Sequence, residues 1–336
     1  MNRFKILIGV ILLINQSCTT QTQKINGVSF VASRELISDK HTKPVVAINA
    51  NYAAIMPFGF IRNLTDPEIT FNTERQWIGE RVFGAKQYIE ELQEQSIKIM
   101  LKPQIWVRGG YFTGEINMQT EADWQTLEVS YSKFVLEYAK LAETKKVDVF
   151  CIGTELEKFV AHRPAYWNEL IISIKKIYKG KLTYAANWNE YEKTTFWNQM
   201  DYIGIDAYFP VSDSKTPTIK ECLEGWEMYK SNIHKFSIQY HKPILFTEFG
   251  YRSVDYSGKA PWKSDRDMGN INLEAQNNAT HALFEAFWNE DWFAGGFVWK
   301  WHHNHEVAGG ENNDRFTPQN KPVELLIKEH YNVFSK

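Results

Sequence analysis

Two glutamates stand at matching points in the chain. Each closes a short apolar run, Val147-Asp148-Val149-Phe150-Cys151-Ile152-Gly153-Thr154-Glu155 and Pro243-Ile244-Leu245-Phe246-Thr247-Glu248, and both runs end in Thr-Glu. A run of this kind reads as a parallel strand buried on both faces and polar only where it emerges. Two carboxylic acids delivered to one face can divide labour: one stays protonated and donates, the other stays ionised and attacks or activates water. That pairing makes Glu155 and Glu248 the candidate catalytic groups.

The elements that must position them can be read along the chain. Strands are predicted at Ile25–Val31, Val45–Asn51, Ile97–Val107, the Glu155 run, Leu182–Trp188, Tyr202–Tyr208, the Glu248 run and Gly295–Trp301. Between them, Trp77, Ile78, Val82, Ala85, Ile89 and Leu92 recur at helical spacing, and Trp124 to Leu141 marks a long amphipathic helix. Pro164 opens a helix running to Ile177, a brief helix is expected near Glu190 to Asn198, and further helices cover Leu223–Phe236 and Leu273–Trp288. Pro322 opens the last, through Val333. Eight strands with mostly helical crossovers, no linker and no break in composition predict an α/β protein, a single (β/α)₈ TIM barrel. A doubly wound open sheet is disfavoured, because Ser29-Phe30-Val31-Ala32-Ser33 lacks the glycine-rich phosphate turn such a sheet carries after its first strand.

In a barrel the active site gathers at the C-terminal ends of the strands. Those ends carry Trp106, Glu155, Asn187, Trp188, Asp206, Tyr208, Glu248, Trp299 and Trp301. Carboxylates to break a glycosidic bond, polar groups for hydroxyls and aromatic faces for sugar rings fit glycoside hydrolysis. Strands four and seven face each other across the mouth, so the Glu155 and Glu248 carboxyls can approach the ~5–5.5 Å separation of a retaining enzyme. Trp106, Trp188 and Trp301 serve either as sugar platforms or as core. Asp206 reads as a hydroxyl-binding or structural residue, with a role as acid as its alternative. Glu157, two residues past Glu155, is a competing acid if it does not sit in the following turn. His302-His303-Asn304-His305-Glu306 has metal-binding residue types. A barrel metallohydrolase, however, usually places a His-x-His at the end of strand one, and Ser29 to Arg34 holds no histidine. The stretch is therefore expected to be a polar loop lining the cleft. Neither a metal nor a cofactor is called for.

Glutamates ending strands four and seven of a (β/α)₈ barrel resemble the large retaining-glycosidase clan that includes cellulases, mannanases and β-galactosidases. Within it, Ile152-Gly153-Thr154-Glu155-Leu156 and Phe246-Thr247-Glu248-Phe249-Gly250-Tyr251 resemble glycoside hydrolase family 113, whose characterised members are mainly β-1,4-mannanases. The resemblance implies Glu155 as general acid/base and Glu248 as nucleophile. It also implies Tyr208 as a donor to that nucleophile and Trp299 as the floor of the subsite at the cleavage point. The chain departs from the clan at two points. Thr154 stands where asparagine is common, and Arg62 lies well past the end of strand two, where the clan carries an arginine. The expected activity is double-displacement hydrolysis of β-1,4-mannan or a related hemicellulose. The alternatives are another β-glycan such as xylan or glucan, or a non-catalytic glycan-binding surface protein.

Composition bounds the partners. A net charge of −2 gives no electrostatic reason to bind nucleic acid or an anionic membrane. The unusual figure is 15% aromatic residues with 12 Trp, enough to furnish both a core and a sugar groove. Asn2, Arg3 and Lys5 precede an apolar stretch, Ile6 to Ile14, too short to span a bilayer, and Gln16-Ser17-Cys18 follows. Residues 1–23 therefore read as a lipoprotein signal and short tether and 24–336 as the catalytic domain. The protein is expected to be exported, periplasmic or at the cell surface, and touching a membrane only through a lipid on Cys18. Cys151 and Cys222, inside predicted elements, read as buried small hydrophobes.

Overall fold

In a computed structural model, which describes residues 23–263 and 269–334, eight parallel strands close into a barrel. In chain order the strands are β1 (Ile25–Phe30), β2 (Tyr52–Ile55), β3 (Phe58–Ile61), β4 (Thr70–Phe71), β5 (Lys98–Leu101), β6 (Gln104–Val107), β7 (Val149–Thr154), β8 (Lys181–Asn187), β9 (Ile203–Asp206), β10 (Ile244–Phe249) and β11 (Phe293–Trp301). The barrel runs β1-β2-β5-β7-β8-β9-β10-β11 and back to β1, while β4-β3-β6 form a small side sheet. The helices are α1 (Asp39–Ala47), α2 (Val82–Glu94), α3 (Glu121–Thr144), α4 (Glu157–His162), α5 (Pro164–Ile177), α6 (Ile219–Tyr240), α7 (Leu273–Phe287) and α8 (Pro322–Val333). The Cys18 anchor expectation lies outside the described residues, and no helix among those described is long and apolar enough to cross a membrane.

The two-residue period of the strands sorts their side chains. Ile25, Ala54, Met100, Val149, Cys151, Ala185, Leu245 and Phe297, with Tyr202, form one buried cluster inside the barrel. Their neighbours Phe150, Ile152, Tyr184, Ala186 and Phe246 join the larger core under the helices. Phe297 fills the interior so closely that a Cβ on Gly27 would lie 2.3 Å from its ring. Lys102 and Asp206 continue the inward parity of Met100 and Gly204 just above this apolar plug. The barrel therefore changes from dry to charged within one layer.

Two predicted strands differ from those observed. Val45–Asn51 is the end of α1 and its exit, not a strand. The β-branched Val45 and Val46 suggest a strand, but Ser38 opens a helix by donating its N–H to Nδ1 of His41 at 2.9 Å. The helix buries Val45 and Ile48 while leaving Val46 exposed. The barrel's second strand is the following Tyr52–Ile55, so the total of eight and the fourth position of the Glu155 strand stand. Ile97–Val107, read as one strand, is two. Pro103 lacks the N–H a ladder needs and ends the barrel strand; Pro57 interrupts the neighbouring chain in the same way. Beyond the prolines both chains resume as β3 and β6, parallel to each other, and build the side sheet. The brief helix expected near Glu190 is only a 3₁₀ turn at Trp197–Gln199.

Candidate active site

Glu155 is the first residue beyond β7 and has a φ of +50°. That left-handed backbone costs a non-glycine residue about 1–2 kcal/mol, so neighbours must hold it. Its N–H donates to the Ala185 carbonyl at 2.8 Å, its own carbonyl accepts from Thr113 Oγ1 at 3.1 Å, and the next amide, Leu156 N–H, donates to the Tyr184 hydroxyl at 2.7 Å. The side chain is treated differently. Among the described residues none donates a hydrogen bond to the Glu155 carboxyl. Burial first, then the charges of Asp206 and Glu248, push its pKa well above the usual carboxylate range, against a smaller opposing pull from Lys102.

Glu248, near the end of β10, is 6% exposed and fully engaged. Oε1 accepts from Lys102 Nζ at 2.6 Å and Gln104 Nε2 at 3.0 Å; Oε2 accepts from the Tyr208 hydroxyl at 2.8 Å. Lys102 also reaches Asp206 at 3.1 and 3.3 Å, and Thr247 Oγ1 donates to Asp206 at 2.7 Å. Burial alone would lower the Lys102 pKa, but Asp206 and Glu248 overcome it and hold the ammonium above its ordinary value. Burial and then Glu248 push Asp206 up to about 7, with Lys102 and Thr247 opposing.

Glu155 and Glu248 line one cavity of about 900 Å³. From the carboxylates it extends along the side sheet past Phe58, Phe60, Gln104 and Trp106 to Gln76, Trp77, Tyr111 and Phe112. Trp299 closes the other side, with the Lys300 ammonium 5.5 Å from its ring centre and a cis peptide between the two. A carboxyl without a donor among the described residues, beside a carboxylate with three, in an aromatic groove, is equipped to protonate a leaving group while the other carboxylate attacks.

The profile of Glycoside Hydrolase Family 113 matches residues 34–321. The chain belongs to glycoside hydrolase family 113. The family 113 chain is a glycoside hydrolase built on a TIM barrel. It resembles the family 113 β-mannanase AaManA of Alicyclobacillus acidocaldarius, solved with ManMIm, at 24% identity and a TM-score of 0.79 over 93% of this chain and 98% of that one. It resembles a second family 113 β-1,4-mannanase at 24% identity and a TM-score of 0.80 over 92% and 99%. A Faecalibacterium prausnitzii β-glucuronidase shares the fold at 15% identity and a TM-score of 0.61, over 93% of this chain but 49% of its own. No curated protein sequence matches the chain.

The other sequence candidates of this family 113 barrel divide sharply. Tyr208 bonds Glu248, and Trp106, 39% exposed, walls the cavity. Asp206 is wholly buried, does not border the cavity, and bonds Lys102 and the Thr247 hydroxyl. Trp301 is wholly buried, so it belongs to the core and offers no platform. Asn187 is buried, with Oδ1 accepting from the amide of Trp188; Trp188 stacks on Trp262 at 5.3 Å, and neither Asn187 nor Trp188 borders the cavity. Glu157 opens α4 and pairs with Lys193 at 2.5 Å. Arg62 is exposed and bonds Asp66; the cation that bonds Glu248 is Lys102, from the end of the third barrel strand.

The histidine loop does not line the cleft as expected. His302 N–H donates to Gln319, and His305 bonds Glu324. His303 lies 3.8 Å from Glu35 and beside His41, a set with metal-ligand residue types. His41 is unsuited to that use. Its Nδ1 accepts the Ser38 amide proton, so the neutral ring carries its own proton on Nε2 and has no lone pair to give.

Sequence reasoning missed Lys102, Gln104 and Glu190. Glu190 is 1% exposed, accepts from the Tyr184 hydroxyl at 2.6 Å and the Asn187 amide at 3.1 Å, and is pushed up to about 7 chiefly by burial.

Proposed function

We propose that this chain hydrolyses β-1,4-mannan or a closely related hemicellulose with retention of configuration, Glu155 serving as acid/base and Glu248 as nucleophile. The observation that carries the reading is the contrast between two carboxyls on one cavity. One has its pKa pushed well above the usual carboxylate range by burial and neighbouring charge; the other is ringed by Lys102, Gln104 and Tyr208. Mannan as substrate rests on family membership together with the two solved β-mannanases that share this barrel.

In the first step a Glu248 oxygen bonds the anomeric carbon, the glycosidic C–O bond breaks, and the Glu155 proton passes to the leaving oxygen. The glycosyl ester so formed removes the Glu248 charge, one of the causes that raise Glu155. The pKa of Glu155 falls, and its carboxylate takes a proton from water as that water bonds the anomeric carbon and the C–O bond to Glu248 breaks. Glu248 leaves as carboxylate and Glu155 is protonated again.

Hydrolysis of mannan, glucomannan, xylan and cellulose oligosaccharides, with products sized and the first-formed anomer read by NMR, tests both parts. Preferred cleavage of mannan with a β-anomer first supports them. An α-anomer first, or preferred cleavage of xylan, overturns the corresponding part.

We also propose that the protein is an exported lipoprotein held at Cys18, as the basic start and short apolar stretch before that cysteine suggest. Cys18→Ser should move it from the membrane fraction to the soluble one. An unchanged distribution overturns the anchor.

A further inference from the structure

We infer that Tyr184 and Glu190 form a positioning unit for Glu155, acting through the peptide that follows it. The inference rests on the proposed role of Glu155 as acid. Leu156 N–H donates to the Tyr184 hydroxyl, and an amide can only donate. When Glu190 is ionised, the hydroxyl proton is committed to its Oε1, 2.6 Å away. Glu190 Oε2 accepts from the Asn187 amide, so one carboxylate ties the end of β8 to the turn after β7. The Tyr184 ring is buried between Trp167 and Phe196, with ring centres 5.8 and 5.4 Å away, and cannot swing aside.

This matters because the Glu155 carboxyl takes no hydrogen bond of its own from a described residue. Its aim comes from its backbone, and that backbone sits in a left-handed conformation it would leave if released. Glu190 does not border the cavity, so its buried carboxylate is not spent on substrate. Its work is to hold the hydroxyl that holds Leu156. Without that hydroxyl the peptide loses its acceptor, the turn relaxes, and the acid no longer points at the glycosidic oxygen.

The test separates aim from general integrity. Cleavage of β-1,4-mannotetraose needs the Glu155 proton, whereas the dinitrophenolate of dinitrophenyl β-mannobioside leaves without one. Tyr184→Phe should lower kcat/KM on mannotetraose roughly 100-fold and on the dinitrophenyl substrate less than about threefold. Should Tyr184→Phe melt early, Glu190→Gln, which keeps the ring and nearly the volume, should show the same split. Equal losses on both substrates, or no loss on either, from a folded variant of an active enzyme overturn this inference alone. A wild-type chain inactive on both overturns the proposed hydrolysis of β-mannosides and this inference with it.

Discussion

The ends of β7 and β10 present the same residue pair, Thr-Glu, and treat it in opposite ways. Glu248 is held by its side chain: three donors fill its two oxygens. Glu155 is held by its backbone, and its carboxyl is left without donors among the described residues. A nucleophile, the role proposed for Glu248, must be fixed, and converging donors fix it. An acid must keep a proton and then give it away, and donors aimed at its oxygens would oppose the first task. Identical residues acquire different chemistry from what surrounds them.

Replacing each glutamate breaks the contrast most directly. Glu248→Ala should lower kcat/KM on mannan by more than about 10⁴-fold, and Glu155→Ala by about 10²–10⁴-fold. Azide should rescue Glu155→Ala on substrates with activated leaving groups as the β-glycosyl azide visible by NMR, whereas any rescue of Glu248→Ala should give the α-glycosyl azide. Rescue of Glu248→Ala to the same product would reverse the two roles.

Lys102→Met attacks one side only. It leaves Asp206 and Glu248 buried together without their cation, a loss of about 3–5 kcal/mol of stability. Two neighbouring carboxylates resist ionising together, so the acidic limb of the kcat/KM profile should move to higher pH. Calorimetry and a pH-rate profile check both effects. Tyr208→Phe removes one charge-assisted bond and should lower kcat/KM about 10- to 100-fold, with little change in melting temperature.

The smallest effect concerns Glu190. Its folded pKa is about 7, so between about pH 4.5 and 7 the folded protein holds a proton that the unfolded chain has released. Stability therefore falls as pH rises through that window. Glu190→Gln should reduce the difference in melting temperature across it, while Asp206, also raised to about 7, keeps part of the slope. An identical slope in the variant would show that Glu190 is ionised throughout.

The barrel was legible because buried parallel strands make continuous apolar runs, and because Glu155 and Glu248 interrupt such runs where strands emerge. The second strand was misread since two valines carry a β-signal that α1 overrides by burying only one of them. Lys102 was missed for an instructive reason. Ile99-Met100-Leu101-Lys102 has the same form as the glutamate runs, apolar and then charged, but the apolar residues beyond Pro103 disguised the strand end. A proline after a charge was the available signal. Glu190 left none, because it lies in an irregular turn and works through a tyrosine six positions earlier. Trp301, read as platform or core, is core, and Asn187 does not border the cavity: residues at a strand end alternate between mouth and core, and register irregularities, as between β10 and β11, upset the count.

Pro103 has a mechanical consequence as well. The short piece of chain around it carries Lys102 and Gln104, both bonded to Glu248, and runs straight on into Trp106 in the groove wall. Wall and Glu248 share one beam. A change at Trp106 is therefore never a pure test of sugar stacking, because whatever tilts β6 also tilts the grip on the Glu248 carboxylate.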